Sequence, residues 1–159
     1  APDAEKFNAY PRDEGLSLVV AHRAATSGAT TPGRELYSRR AKALVSTGAP
    51  MTDRTAPPLA RQTLEIAPLA NPFALKDDEA LQLRVIYKGK PLAGASVKFE
   101  SLDSGLLPPR RETTDETGLV AFKFPKHGAW KASVVWSEPI VGEAIADYRT
   151  IFSSLTFGL

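Results

Sequence analysis

Leu81-Gln82-Leu83-Arg84-Val85-Ile86-Tyr87 decides the fold. The apolar side chains Leu81, Leu83, Val85 and Tyr87 fall on every second position with Gln82 and Arg84 between them, and only a two-residue period puts that set on one face. The stretch predicts a half-buried strand. Lys88-Gly89-Lys90-Pro91 follows, where glycine reaches positive φ without strain and proline ends ladder donation, so the chain reverses. Ala95, Val97 and Phe99 then alternate with Ser96, Lys98 and Glu100, a second strand with a charged outer face. This spacing predicts that the two strands form a hairpin.

Further along, 105–111 carries Pro108-Pro109 and Arg110-Arg111, which suit an exposed crossing loop and not a central strand. Asp115-Glu116-Thr117-Gly118 has an acceptor at the first and glycine at the fourth position of a type I turn. Val120, Phe122 and Phe124 form the inward set of the next strand, which Pro125 stops and Lys126-His127-Gly128 reverses. Trp130, Ala132, Val134 and Trp136 are the inward set of its partner. Burying these aromatics stabilises by roughly 25 cal/mol per Å² removed from water, enough to anchor a small sandwich. The expected fold is mainly β, an antiparallel β-sandwich preceded by a short helical arm.

Outward from that core, the N-terminal segment reads as helical. Pro2 suits a first helical position, Asp3 and Glu5 favour the positive end of the dipole, and Phe7 and Tyr10 share a face. Pro11 is expected to restart the chain, with Asp13 and Glu14 opening a second helix whose stripe is Leu16, Val19, Val20 and Ala24. His22 and Arg23 fall near its end, where cations complement the dipole, and Gly28 closes it. Residues 34–47 suit a helix through Leu36, Arg40, Ala43 and Leu44, or a strand through Tyr37, Arg39, Ala41, Ala43 and Val45; aromatic Tyr37 and β-branched Val45 favour the strand. Residues 48–59 hold three prolines and read as a surface connection. Thr63, Leu64 and Ile66 suggest a strand entering the sandwich, Asn71-Pro72 a turn, 137–147 a loop, and Ile151, Leu155 and Phe157 a closing strand. The boundary expected from this pattern separates an arm at 1–60 from a sandwich domain at 61–159.

At 159 residues with 43% hydrophobic composition, the chain is long enough to bury a real core. A net charge of +2 with no basic stripe argues against nucleic acid as a partner. The absence of cysteine excludes disulfides, thiolate metal sites and Cys nucleophiles. No apolar run approaches the ~20 residues that span a bilayer, so no direct membrane insertion is expected. Ala1-Pro2-Asp3-Ala4 has neither the basic nor the apolar region of a signal peptide; an export signal would lie upstream.

Two sets of residues carry a resemblance. One is Glu5-Lys6-Phe7-Asn8-Ala9-Tyr10, Glu14-Gly15-Leu16, Pro32-Gly33-Arg34-Glu35, Tyr37-Ser38-Arg39 and Ala41-Lys42-Ala43-Leu44-Val45. The other is Ala70-Asn71-Pro72-Phe73, Gly89-Lys90-Pro91-Leu92-Ala93-Gly94-Ala95 and Ser154-Leu155-Thr156-Phe157. Over nearly its whole length the chain resembles the NikM-like family of bacterial periplasmic proteins, described as the periplasmic component of a cobalt or nickel uptake system. The second set, with the 115–118 turn, is shared by carboxypeptidase-regulatory-like and Cna-B-like sandwiches of transthyretin/Ig-like type. The resemblance implies a strand at 37–45, export to the periplasm, a membrane transport system as partner, and an upstream β domain of the same precursor. Relatives commonly close with an aromatic-rich Trp-x-x-Tyr segment; Asp147-Tyr148-Arg149 and Phe152 stand in that place here.

The metal that this family description implies is nickel or cobalt, which prefers imidazole with carboxylate or water. Only His22 and His127 supply imidazole, and no His-x-His or His-Glu-x-x-His spacing joins them. The residues expected to reach a metal are His127 with a loop carboxylate, Glu143 or Asp147, or Glu138. Against this stands the plainer expectation that His22 caps a helix and His127 is an exposed turn residue. No nucleophile elbow surrounds any Ser, so a non-enzymatic protein is expected. Trp130 and Trp136 would make a sugar platform if exposed, but their alternation with Ala132 and Val134 places them in the core. Arg39-Arg40-Lys42 and Arg110-Arg111 read as solvated basic clusters or anion contacts. The expected function is an accessory or binding protein in transition-metal uptake. The alternative is a structural or adhesive module binding protein or carbohydrate, and a weaker third reading is a hydrolase whose site is completed by an upstream domain.

Overall fold

The computed structural model describes residues 3–47, 52–103, 107–142 and 144–159. It is mainly β and sandwich-like, with two short helices ahead of antiparallel sheets. The chain divides into two compact units, one built from Ala1–Arg39 and Val135–Phe152, the other from Arg40–Val134 and Ser153–Leu159. No helix among the described residues is long and apolar enough to cross a membrane.

In the first unit, α1 spans Ala4–Asp13 and α2 spans Ser17–Ala25. The Asp3 carboxylate caps α1 by accepting from the Lys6 amide at 2.8 Å. Pro11 does not break α1 as the sequence suggested; it lies inside the last turn, and the helix runs on until Gly15 turns the backbone left-handed at φ 73°. Pro11 has no N–H to give to the preceding turn, but its carbonyl accepts from Leu16 N at 2.7 Å and Gly15 N bonds Arg12 O, which closes the helix end. Asp13 and Glu14 therefore end α1 and do not open α2. The buried stripe of α2 is also shifted: Leu16, Val19 and Arg23 are buried while Ala24 is exposed. Phe7, Leu16, Val19 and Tyr148 form this unit's core, with Tyr10 and Val135 packed against it.

The strands are β1 Glu35–Leu44, β2 Leu64–Pro68, β3 Leu81–Tyr87, β4 Lys90–Pro91, β5 Ser96–Ser101, β6 Arg110–Thr113, β7 Leu119–Phe122, β8 Ala129–Pro139 and β9 Tyr148–Gly158. One sheet has the order β1-β9-β8-β5-β6; the other joins β2, β3 and β4, with β7 on β3. The strand reading of 34–47 is the one the fold adopts. In the second unit Phe99 on β5 lies at the centre of an aromatic stack, with Phe122 at 4.8 Å, Phe124 at 5.1 Å and Trp130 at 5.3 Å between centroids. Phe122 comes from the opposite sheet, so this stack is where the two layers meet. The Trp130 indole, 1% exposed, donates its N–H to His127 O at 3.0 Å, so its burial leaves no polar atom unsatisfied.

Three further expectations are corrected. The first is the hairpin between 81–87 and 95–99. Lys88 (φ 50°) and Gly89 (φ 77°) do make a tight left-handed turn, yet only β4 returns along β3, in the pairs Ile86↔Pro91 and Tyr87↔Lys90. The chain then leaves for the other sheet, where β5 pairs with β6 and β8. Buried Thr114 makes the transfer stable: its hydroxyl donates to Leu92 O and accepts from Ala95 N, and its own backbone exchanges bonds with Gly94 and Ala95. Second, Arg110-Arg111 is not loop but part of β6, an exposed edge strand in which charged side chains discourage further pairing. Third, Trp136 is only half-buried. The alternation along β8 slips at Val135 and Trp136, and Ser137 takes the next buried position.

Candidate functional site

A densely hydrogen-bonded polar cluster lies in the first unit. Arg23 holds a core position on the stripe of α2 and is 4% exposed. A buried cation is costly unless its donors are satisfied. Here Nε donates to Asn8 Oδ1 at 2.6 Å, Nη2 donates to Thr31 O at 2.7 Å, and the guanidinium lies 4.6 Å over the Phe7 ring. Phe7 in turn lies flat against Gly33, where an added Cβ would come within 2.4 Å of its ring. That contact gives Phe7-Asn8 and Pro32-Gly33-Arg34 a shared structural reason: the glycine admits the ring, the ring bears the guanidinium, and the amide orients it.

Tyr148 opens β9 and stacks on Phe7 with centroids 5.7 Å apart. Its hydroxyl shares a 2.9 Å hydrogen bond with His22 Nδ1, and the imidazole stands edge-on to the phenol. Burial pushes the phenol pKa up, against the Arg23 hydrogen bond and charge, so the phenol keeps its proton at neutral pH. Beside it Arg34 forks onto Asp147, Nη2 to Oδ1 at 2.9 Å and Nε to Oδ2 at 3.2 Å, while the Arg34 amide also donates to Oδ2. The Arg34 hydrogen bond holds the Asp147 carboxyl below the usual range. Arg34 Nη1 donates to Ala144 O at 2.7 Å. His22, Arg23, Arg34, Asp147 and Tyr148, with Thr26, line a cleft of about 340 Å³.

The arrangement is a set of polar side chains cross-tied by hydrogen bonds. Two guanidiniums, Arg34 bonded to Asp147 and Arg23 acting on the same carboxylate through its charge, stand against that single anion, so the cleft lining carries a positive excess beside phenol and imidazole. Such a set suits an anionic group.

Of the residues expected at a metal, Asp147 is in this cleft and already ion-paired with Arg34. His127 belongs to the second unit, in an exposed turn where its carbonyl serves Trp130. Glu143 lies outside the described residues, and Glu138 is on β8. Among the described residues no group of three His, Cys, Asp or Glu side chains is placed to hold a metal ion. The basic clusters are largely engaged: Lys42 pairs with Glu65 at 2.6 Å, the Arg39 guanidinium lies 4.6 Å over Phe152, and Arg110 donates to Lys123 O. Sequence reasoning missed Arg23 and Tyr148. The signal for both was present in the motif residues Phe7 and Asn8: Phe7 packs on Gly33, stacks on Tyr148 and bears Arg23, and Asn8 accepts from Arg23.

None of the curated proteins and none of the solved structures compared with the chain matches it. A family model does match, over residues 5–138, a span that takes in both helices and the strands through most of β8. The chain belongs to the family described as Domain of unknown function (DUF4198).

Proposed function

We propose that this protein is a non-enzymatic, exported accessory or binding module for uptake of a transition metal, nickel or cobalt. The NikM-like resemblance supplies the class of cargo and the periplasmic setting. The observation that carries the binding reading is the cleft of the first unit, where Arg23, Arg34, Asp147, His22 and Tyr148 hold one another in place. Side chains fixed in this way are organised in advance for recognition. With no three-donor group among the described residues, the cargo is recognised through its own coordination shell. A chelated ion carrying carboxylates would present its negative charge to Arg23 and a vacant position to a single imidazole, His22.

Calorimetric titration at pH 7 tests this, using nickel and cobalt chloride alone and premixed with citrate. The expected result is heat from the citrate complexes that His22→Ala reduces. Absence of heat from all four probes would remove metal binding from the reading.

A further inference from the structure

A second site lies on β1, away from the cleft's polar cluster. Glu35, Tyr37 and Arg39 alternate along the strand, so their side chains leave one face about 7 Å apart. β1 is an edge strand, and β9 beside it supplies Phe152. Tyr37 is 63% exposed, far more than a large aromatic side chain needs for packing, and meets Phe152 edge-on at 6.3 Å. The Glu35 carboxylate is locked: Thr150 Oγ1 donates to Oε1 at 2.6 Å, and Ser137 Oγ bonds the same Thr150 hydroxyl at 2.8 Å. Together with Lys6, Phe7 and Tyr10 of α1 these residues line a groove of about 290 Å³. The Tyr10 hydroxyl is buried and has no hydrogen-bond partner among the described residues. Burial, then the charges of Glu35 and Glu14, push its pKa well up, so it remains a proton donor.

We propose that this groove binds a sugar ring, with Tyr37 as the stacking face and Glu35 and Arg39 as the hydroxyl-binding pair. A pyranose offers C–H bonds on its faces and hydroxyls around its rim. An exposed aromatic face takes the first, and a fixed acceptor with a planar donor on either side takes the second. The volume lies at the small end of ligand sites, ~300–1,000 Å³, which fits a single sugar unit. This groove is independent of the metal-uptake reading.

The experiment is calorimetric titration of the full chain with glucose, galactose, mannose, N-acetylglucosamine and their β-linked disaccharides. At least one is expected to bind, with Tyr37→Ala weakening it by about tenfold or more, Tyr37→Phe retaining it, and Glu35→Gln weakening it several-fold. Tyr37 is exposed, so the alanine variant should keep the thermal midpoint, and nickel-citrate heat should not change. No binding by any sugar of the panel, or binding indifferent to Tyr37→Ala, overturns the proposal.

Discussion

Gly118 closes the 115–118 turn at φ 76°, and a Cβ there would stand 2.8 Å from Val85 O and 2.9 Å from Leu92 N. Both neighbours are backbone atoms of the ladder and cannot swing aside. Gly118→Ala should therefore cost about 1–3 kcal/mol, read as a lower urea midpoint. Asp115 of the same turn accepts from Thr117 N and Leu119 N, as its place in the motif implied. Glu65 is a different case. It is 1% exposed, pairs with Lys42 at 2.6 Å and accepts the amides of Ala60 and Gln62. Burial pushes its carboxyl up, but the ammonium and the amides outweigh that, and its pKa falls below the ordinary value. A depressed folded-state pKa means stability present above the unfolded value and lost as pH falls through the folded one. The urea midpoint should drop on acidification below about pH 4, and less steeply in Glu65→Gln. That variant should lose about 3 kcal/mol at pH 7, since it leaves Lys42 without its anion. Tyr148→Phe, which keeps the ring on Phe7 and removes the hydroxyl from His22, should cost about 1–2 kcal/mol by the same measurement.

At the scale of elements, β3 was legible because its two-residue period is a purely local property, and the same holds for the inward sets of β7 and the first half of β8. The destination of β5 was not. Thr114, nineteen residues from Ala95, takes up the polar groups where the chain leaves β4, and no pattern within 88–99 records that. Arg23 escaped for a related reason: an arginine in the last turn of a helix reads as a partner of the dipole, and only tertiary placement of Asn8, Thr31 and Phe7 makes it a core residue. The slip in β8 separates two tryptophans that the sequence treated alike. Trp130 should emit at short wavelength and resist acrylamide, whereas Trp136 should be quenched. Comparing Trp130→Phe and Trp136→Phe spectra checks this, and equal quenching of both would contradict the slip.

At the scale of the molecule, neither compact unit is one stretch of chain. The core of the helical segment needs Tyr148, whose hydroxyl meets a histidine 126 residues away. A fragment of residues 1–60 should give a disordered amide spectrum. Strands β1, β8 and β9 each have residues in both units. Every side chain along such a strand is tied to a single pairing register, and sliding β9 by one step would turn Leu155 and Phe157 outward while driving Arg149 inward. A strand of this kind works like the cut of a key, where one step's error in the spacing spoils every notch at once.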